Sequence, residues 1–270
     1  MRSPRILAIG VTALTTAFAA ALVGTQLPAS AATTVNYVAL GDSYASGVGT
    51  GDTSGSCNQS TEAYGPLWAA SHATTFTFAA CSSATVSSVI SSQLSTLSSS
   101  TTLVSLTVGG NDVGFSSIME TCVLDSTSSC ESSVASAESY ANNTLPGSLD
   151  TLLADIHKDA PNAKVILLDY PVFYDTSVSV CIGLSAADHK SLDAGINDLD
   201  SVLQAAAARE GATFADVRSE FSGHEICDSS SSWLHSLNFL DIDESYHPTA
   251  TGQSSGYLPV FSAAATSVGQ

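Results

Sequence analysis

The chain has 270 residues, 44% apolar and 12% charged, with 25 acidic residues against seven basic ones and a formal charge of −18. That length supports one substantial core. Such an acidic surface repels nucleic acid and anionic lipid headgroups, which excludes a nucleic-acid-binding role but says little about chemistry.

In chain order, Arg2 and Arg5 precede an apolar run, Ile6 to Val23, and then Leu27-Pro28-Ala29-Ser30-Ala31-Ala32. A positive start, a short apolar run and small residues at a cleavage point are the pattern of a secretory signal peptide. The run is short for a membrane span. Residues 1–32 are expected to be removed, leaving a single domain over 33–270 with five basic residues, a charge of −20 and no stable membrane insertion.

The expected strands are Asn36 to Leu40, Thr75 to Ala80, Leu103 to Val108, Lys164 to Asp169 and, more weakly, Thr213 to Val217. Helical spacing covers Glu62 to His72, Thr85 to Leu97, part of Phe115 to Cys130, Glu131 to Asp159 and Ser185 to Glu210, and resumes near His247 toward Thr266. Pro146 and Gly147 imply a break in the longest of these. Phe221 to Ser245 reads mostly as loop. Asp193, Asp198 and Asp200 read as a solvated helix face. Alternating strands and helices give an α/β class: a five-stranded parallel sheet between two helical layers.

Six cysteines follow the signal segment, and an even count in an exported chain implies disulfides. Sequential pairing, Cys57–Cys81, Cys122–Cys130 and Cys181–Cys227, is preferred. A metal site is disfavoured, because no CxxC pair occurs and no His stands at ligand spacing from a Cys. No metal or organic cofactor is implied.

Three strands end in small or polar residues: Gly41-Asp42-Ser43, Cys81-Ser82-Ser83 and Gly109-Gly110-Asn111-Asp112. In a parallel sheet these ends share one edge, where ligands bind in such folds. Glu244-Ser245-Tyr246-His247-Pro248 arrives from the C-terminal part. Ser43 can attack an ester carbonyl while His247 takes its proton. The Asn111 amide and backbone N–H groups near Ser43 or Ser83 can donate to an oxyanion. Each piece also has a plain structural role. Asp42-Ser43 makes an ordinary turn, Asn111 caps a helix, and a lone histidine such as His247 is commonly structural. His72, His157, His189, His224 and His235 read as surface or packing residues.

The joint order of these blocks resembles the SGNH hydrolases, the GDSL family of esterases and lipases, and is most similar to the exported bacterial branch with three disulfides. The resemblance implies a flavodoxin-like three-layer sandwich and a serine ester hydrolase. It makes Ser43 the nucleophile, His247 the base, and Ser43 N–H, Ser83 N–H and Asn111 the oxyanion donors. Three positions depart from the family pattern: Tyr44 replaces Leu, Ser83 replaces Gly, and Glu244 stands where Asp usually precedes the histidine. Either the Glu244 carboxylate or the Ser245 backbone carbonyl orients His247. The implied substrate is a lipid or phospholipid ester, and the protein is expected to be a secreted monomer. The alternatives are a carbohydrate acetylesterase and a catalytically silent secreted binding protein.

Overall fold

The apolar runs at 36, 75, 103, 164 and 213 build one sheet. Its strands are Asn36–Ala39 (β1), Thr75–Phe78 (β2), Leu103–Leu106 (β3), Lys164–Leu168 (β4) and Thr213–Ala215 (β5), all parallel, in the order β2-β1-β3-β4-β5. β3 and most of β4 are buried on both faces, as expected of unbroken apolar strands inside an α/β sandwich. Each strand ends one to two residues earlier than its apolar run, because the last residues already turn toward the sheet edge. The computed structural model describes Met1, Gly10 and residues 34–178, 181, 183–228 and 231–270. The signal-peptide reading therefore falls on positions that, apart from Met1 and Gly10, lie outside the described residues.

Helices Tyr64–His72 (α1) and Leu258–Ser267 (α6) cover one face. There Tyr37, Trp68, Phe76 and Phe261 form an aromatic cluster with ring centroids 5.1–5.5 Å apart. Leu145–Asp159 (α4), Ala186–Glu210 (α5) and an irregular helical segment over 86–96 form the other layer. Phe115–Leu124 (α2) and Thr127–Asn143 (α3) extend that layer, α3 packing on both α4 and α5. α4 turns Leu145, Leu149, Leu152, Leu153 and Ile156 inward, all fully buried. Each such side chain contributes about 1.5–3 kcal/mol relative to exposure. The expected break near Pro146 falls at Thr144, so that Pro146 occupies the first turn of α4, where its missing N–H costs nothing.

Cys57–Cys81, Cys122–Cys130 and Cys181–Cys227 are the three disulfides. Residues Thr33–Gln270 form one compact unit. The solvated face expected of α5 is corrected in part. Asp200 is fully buried and its carboxylate accepts the Tyr170 N–H at 3.2 Å, while Asp193 accepts the N–H groups of Phe173 and Tyr174. Residues 193 and 200 are two turns apart on one face, and that face meets the chain leaving β4.

Candidate active site

The strand order reverses at β1 and β3, which defines the crevice where ligands bind in doubly wound sheets. β1 leads into Gly41, Asp42 and Ser43, and β3 leads into Gly109, Gly110 and Asn111. Gly41 has φ +125°, and a Cβ there would stand 2.5 Å from the Thr107 carbonyl, so only glycine makes this turn beside β3. Gln93 clamps both sides of Gly41: its Oε1 accepts the Gly41 N–H and its Nε2 donates to the Gly41 carbonyl, each at 2.8 Å. Ser43 then begins a single helical turn, Ser43–Ser46.

Asp42 caps that turn by accepting the Tyr44 N–H at 3.0 Å. The Thr107 hydroxyl donates to the same carboxylate at 2.6 Å, and the Tyr170 hydroxyl donates to its other oxygen. Gly110 N–H in turn donates to the Tyr170 oxygen at 3.2 Å. One buried carboxylate thus links the nucleophile turn to the ends of β3 and β4. Burial raises the Asp42 pKa to about 6, a rise held in check by the hydrogen bonds from Thr107, Tyr170 and Tyr44.

Ser43 Oγ lies 2.8 Å from His247 Nε2 although the two residues are 204 positions apart. His247 Nδ1 faces the Ser245 carbonyl at 3.1 Å. A carbonyl only accepts, so Nδ1 carries the proton and Nε2 presents its lone pair to the Ser43 hydroxyl. The Glu244 side chain, in contrast, makes no hydrogen bond among the described residues; its backbone carbonyl accepts the His247 N–H at 3.1 Å. Of the two groups considered for orienting His247, the backbone carbonyl is the one in contact. Burial lowers the His247 pKa to about 4, with the neighbouring His235 adding to the effect and the Ser245 carbonyl opposing it. The imidazole is therefore neutral at ordinary pH and able to accept a proton.

The histidine loop is fastened to the nucleophile turn by contacts with no local sequence signal. Tyr44, in the family's leucine position, donates its hydroxyl to the Tyr246 carbonyl at 2.7 Å and packs its ring 5.1 Å from that of His247. Buried Gln253 donates to the Tyr44 carbonyl at 2.9 Å and accepts the Tyr64 N–H. His235, read from sequence as a surface or packing residue, pairs its backbone with Tyr246 and His247 and bonds the Gly49 carbonyl through Nε2 at 2.7 Å. Gly49 lets this happen, because a Cβ there would stand 2.6 Å from the Pro248 carbonyl. Tyr246 takes φ +66°, an unusual backbone for a bulky residue, immediately before His247.

The backbone N–H groups of Ser43 and Ser83 are the expected oxyanion donors. Neither Ser43 N–H nor Ser83 N–H makes a hydrogen bond among the described residues. Ser83 adopts φ +63°, the left-handed conformation that a glycine takes freely and that costs another residue about 1–2 kcal/mol. The turn is held on both sides: Cys81 is joined to Cys57 and donates its N–H to the Gly41 carbonyl, and Ser82 N–H donates to the Cys57 carbonyl. The Asn111 amide uses one hydrogen on the Ala84 carbonyl at 3.0 Å, which leaves the other for a ligand. Asp112 caps the next segment by accepting the Val86 N–H. Ser43 and Asn111 both line a cavity whose other walls are largely apolar, among them Val113, Phe115, Ile118, Val134, Phe173, Leu192 and Ile196. Among the described residues no cluster of side chains suits a metal ion.

Residues 39–254 match the GDSL-like Lipase/Acylhydrolase family, and the chain belongs to that family and is a carboxylic ester hydrolase. It is 51% identical over 261 residues to Lipase 1 of Streptomyces coelicolor, covering 94% of this chain and 97% of that protein. The fold is similar to that of phospholipase A1 from Streptomyces albidoflavus NA297, with a TM-score of 0.83, 44% identity, and coverage of 86% of this chain and 99% of that one. It is equally similar to the extracellular lipase of Streptomyces rimosus, with a TM-score of 0.82, 46% identity, and coverage of 85% and 99%.

Proposed function

We propose that the chain is an exported enzyme that hydrolyses lipid or phospholipid acyl esters through an acyl-enzyme on Ser43. Ser43 Oγ attacks the ester carbonyl carbon while His247 Nε2 takes the hydroxyl proton. The oxyanion is held by Ser43 N–H, Ser83 N–H and the Asn111 amide. Collapse expels the alcohol, which leaves with the proton from His247. Water, deprotonated by His247, then releases the acid and restores Ser43. The Ser245 carbonyl fixes the tautomer and partly balances the imidazolium, the part that a carboxylate plays in a Ser-His-Asp triad.

The observation that carries this reading is the 2.8 Å contact of His247 with Ser43, which itself lines a largely apolar cavity. An acetyl group needs no such cavity, whereas a longer acyl chain gains roughly 0.8 kcal/mol for each methylene it buries there. The relatives named lipase and phospholipase A1 support the same substrate class. Export is supported by the three disulfides and by the relative described as an extracellular lipase.

The test is a panel of nitrophenyl esters of rising chain length together with triglyceride, phosphatidylcholine and acetylated xylan, run beside Ser43→Ala. Preference for medium or long acyl groups is expected, with no turnover by Ser43→Ala. Turnover confined to acetyl esters overturns the lipid assignment, and turnover retained by Ser43→Ala overturns the mechanism.

A further inference from the structure

Most large apolar residues among those described are buried, but four in two segments are not. Leu124, at the end of α2, is 69% exposed, and Phe239, Leu240 and Ile242, in the loop that leads to His247, are 76%, 99% and 59% exposed. Leu124, Phe239 and Ile242 line one groove, which is also lined by Ser83 and shares Phe115 with the apolar cavity of Ser43. Three of the exposed apolar side chains thus line the same groove as the turn that carries Ser83, and Leu240 lies between two of them in the chain. Exposed apolar patches of this kind mark interaction surfaces.

The chemistry selects the occupant. Glu120 and Asp243 line the groove with no Lys or Arg among its described residues, and exposed Asp241 separates Leu240 from Ile242. Carboxylates without cations repel an anionic surface. A folded partner or a second copy seated here would cover the groove that Ser83 lines, whereas an aggregate of acyl esters would itself supply what that groove receives. Leu240, almost wholly free of protein contact, is shaped to enter a fluid apolar phase rather than a fixed socket.

We propose that Leu124, Phe239, Leu240 and Ile242 form an interfacial anchor that seats the enzyme on uncharged or zwitterionic lipid surfaces with the groove that Ser83 lines facing the lipid. This deepens the lipid-esterase reading and rests on it for the purpose of the anchor, but its binding test does not require hydrolysis. Each side chain moved from water into the acyl phase is worth about tenfold or more in partition.

The experiment uses the mature chain, residues 33–270, carrying Ser43→Ala and measures co-flotation with vesicles of phosphatidylcholine and, separately, of phosphatidylglycerol. Binding to phosphatidylcholine that exceeds binding to phosphatidylglycerol is expected, with a fall of about tenfold when Leu240→Ser is added. In the Ser43 enzyme, Leu240→Ser is expected to keep kcat/KM on a dissolved short-chain nitrophenyl ester and to lose turnover on phosphatidylcholine vesicles. Absence of flotation, flotation unaffected by Leu240→Ser, or preference for phosphatidylglycerol overturns the anchor. So does a concentration-dependent dimer, seen by sedimentation, that Leu240→Ser abolishes. If the catalytic reading fails, flotation by the Ser43→Ala chain still reads the anchor by itself.

Discussion

Replacing Gln93 with leucine removes the amide that grips the Gly41 peptide from both sides. Gln93 is buried, and its two bonds to Gly41 are each 2.8 Å. After the change the Gly41 carbonyl still accepts the Cys81 N–H at 3.0 Å, but the Gly41 N–H has no remaining partner among the described residues. Two lost bonds at about 1 kcal/mol each and one orphaned buried donor at about 1–3 kcal/mol give a destabilisation of roughly 2–4 kcal/mol, allowing for overlap between the terms. A domain with about 5–15 kcal/mol of stability still folds. Ser43 follows Gly41 by two residues, so a shift of the turn misplaces Oγ against the ester, and a displacement of about 1 Å costs on the order of 10²-fold in rate. Urea unfolding of Gln93→Leu measures the first effect, and kcat/KM on a dissolved nitrophenyl ester measures the second. Stability within about 0.5 kcal/mol of the parent, with unchanged kcat/KM, refutes the role given to Gln93.

Asn111→Ala is expected to lower kcat by about 10² to 10³ in steady-state assays on nitrophenyl esters, as for loss of one oxyanion donor. Because His247 must be neutral to act as base, and burial lowers its pKa to about 4, kcat/KM is expected to fall as pH drops through about 4 rather than through the usual histidine range, which a pH–rate profile checks. Glu244→Gln is expected to leave the kinetic constants and that acid limb unchanged, since His247 Nδ1 meets the Ser245 carbonyl rather than a carboxylate. Burial raises the pKa of Asp169 to about 8 and that of Asp200 well above the carboxylate range, with Arg218 Nε 3.6 Å from one oxygen of each. The folded state therefore keeps protons that the unfolded chain releases, and stability falls as pH rises toward 8. Denaturant titrations are expected to find at least about 1–2 kcal/mol lost between pH 5 and pH 8, and Asp200→Asn to flatten that slope.

Local pattern carried much of the fold and the candidate site. The turn at Gly41-Asp42-Ser43, the Gly109-Gly110-Asn111 strand end and the Ser245-Tyr246-His247 loop are each contiguous, and parallel topology requires the first two to share an edge. The residues that hold these pieces together were not legible. Gln93 meets Gly41 from 52 positions away, and Tyr170 meets Asp42 from 128 positions away. Neither interrupts an apolar period or forms a motif. The role of His235 is not legible, because its partners Gly49, Tyr246 and His247 lie in loops that leave no periodic pattern. Asp200 was read as solvated because charge on a helix usually faces water. Only the placement of α5 against the end of β4 turns it inward, toward a backbone amide that needs an acceptor. The choice between Glu244 and the Ser245 carbonyl depended on the backbone path of one loop, which side-chain pattern does not encode.

The most direct test of the Ser43–His247 pair is covalent labelling with diethyl nitrophenyl phosphate, followed by peptide mass spectrometry and ester assay of the same sample. One phosphoryl group on the peptide containing Ser43, with activity lost in proportion, is the expected result. Modification at another residue, or a fully labelled Ser43 with turnover intact, would contradict the account.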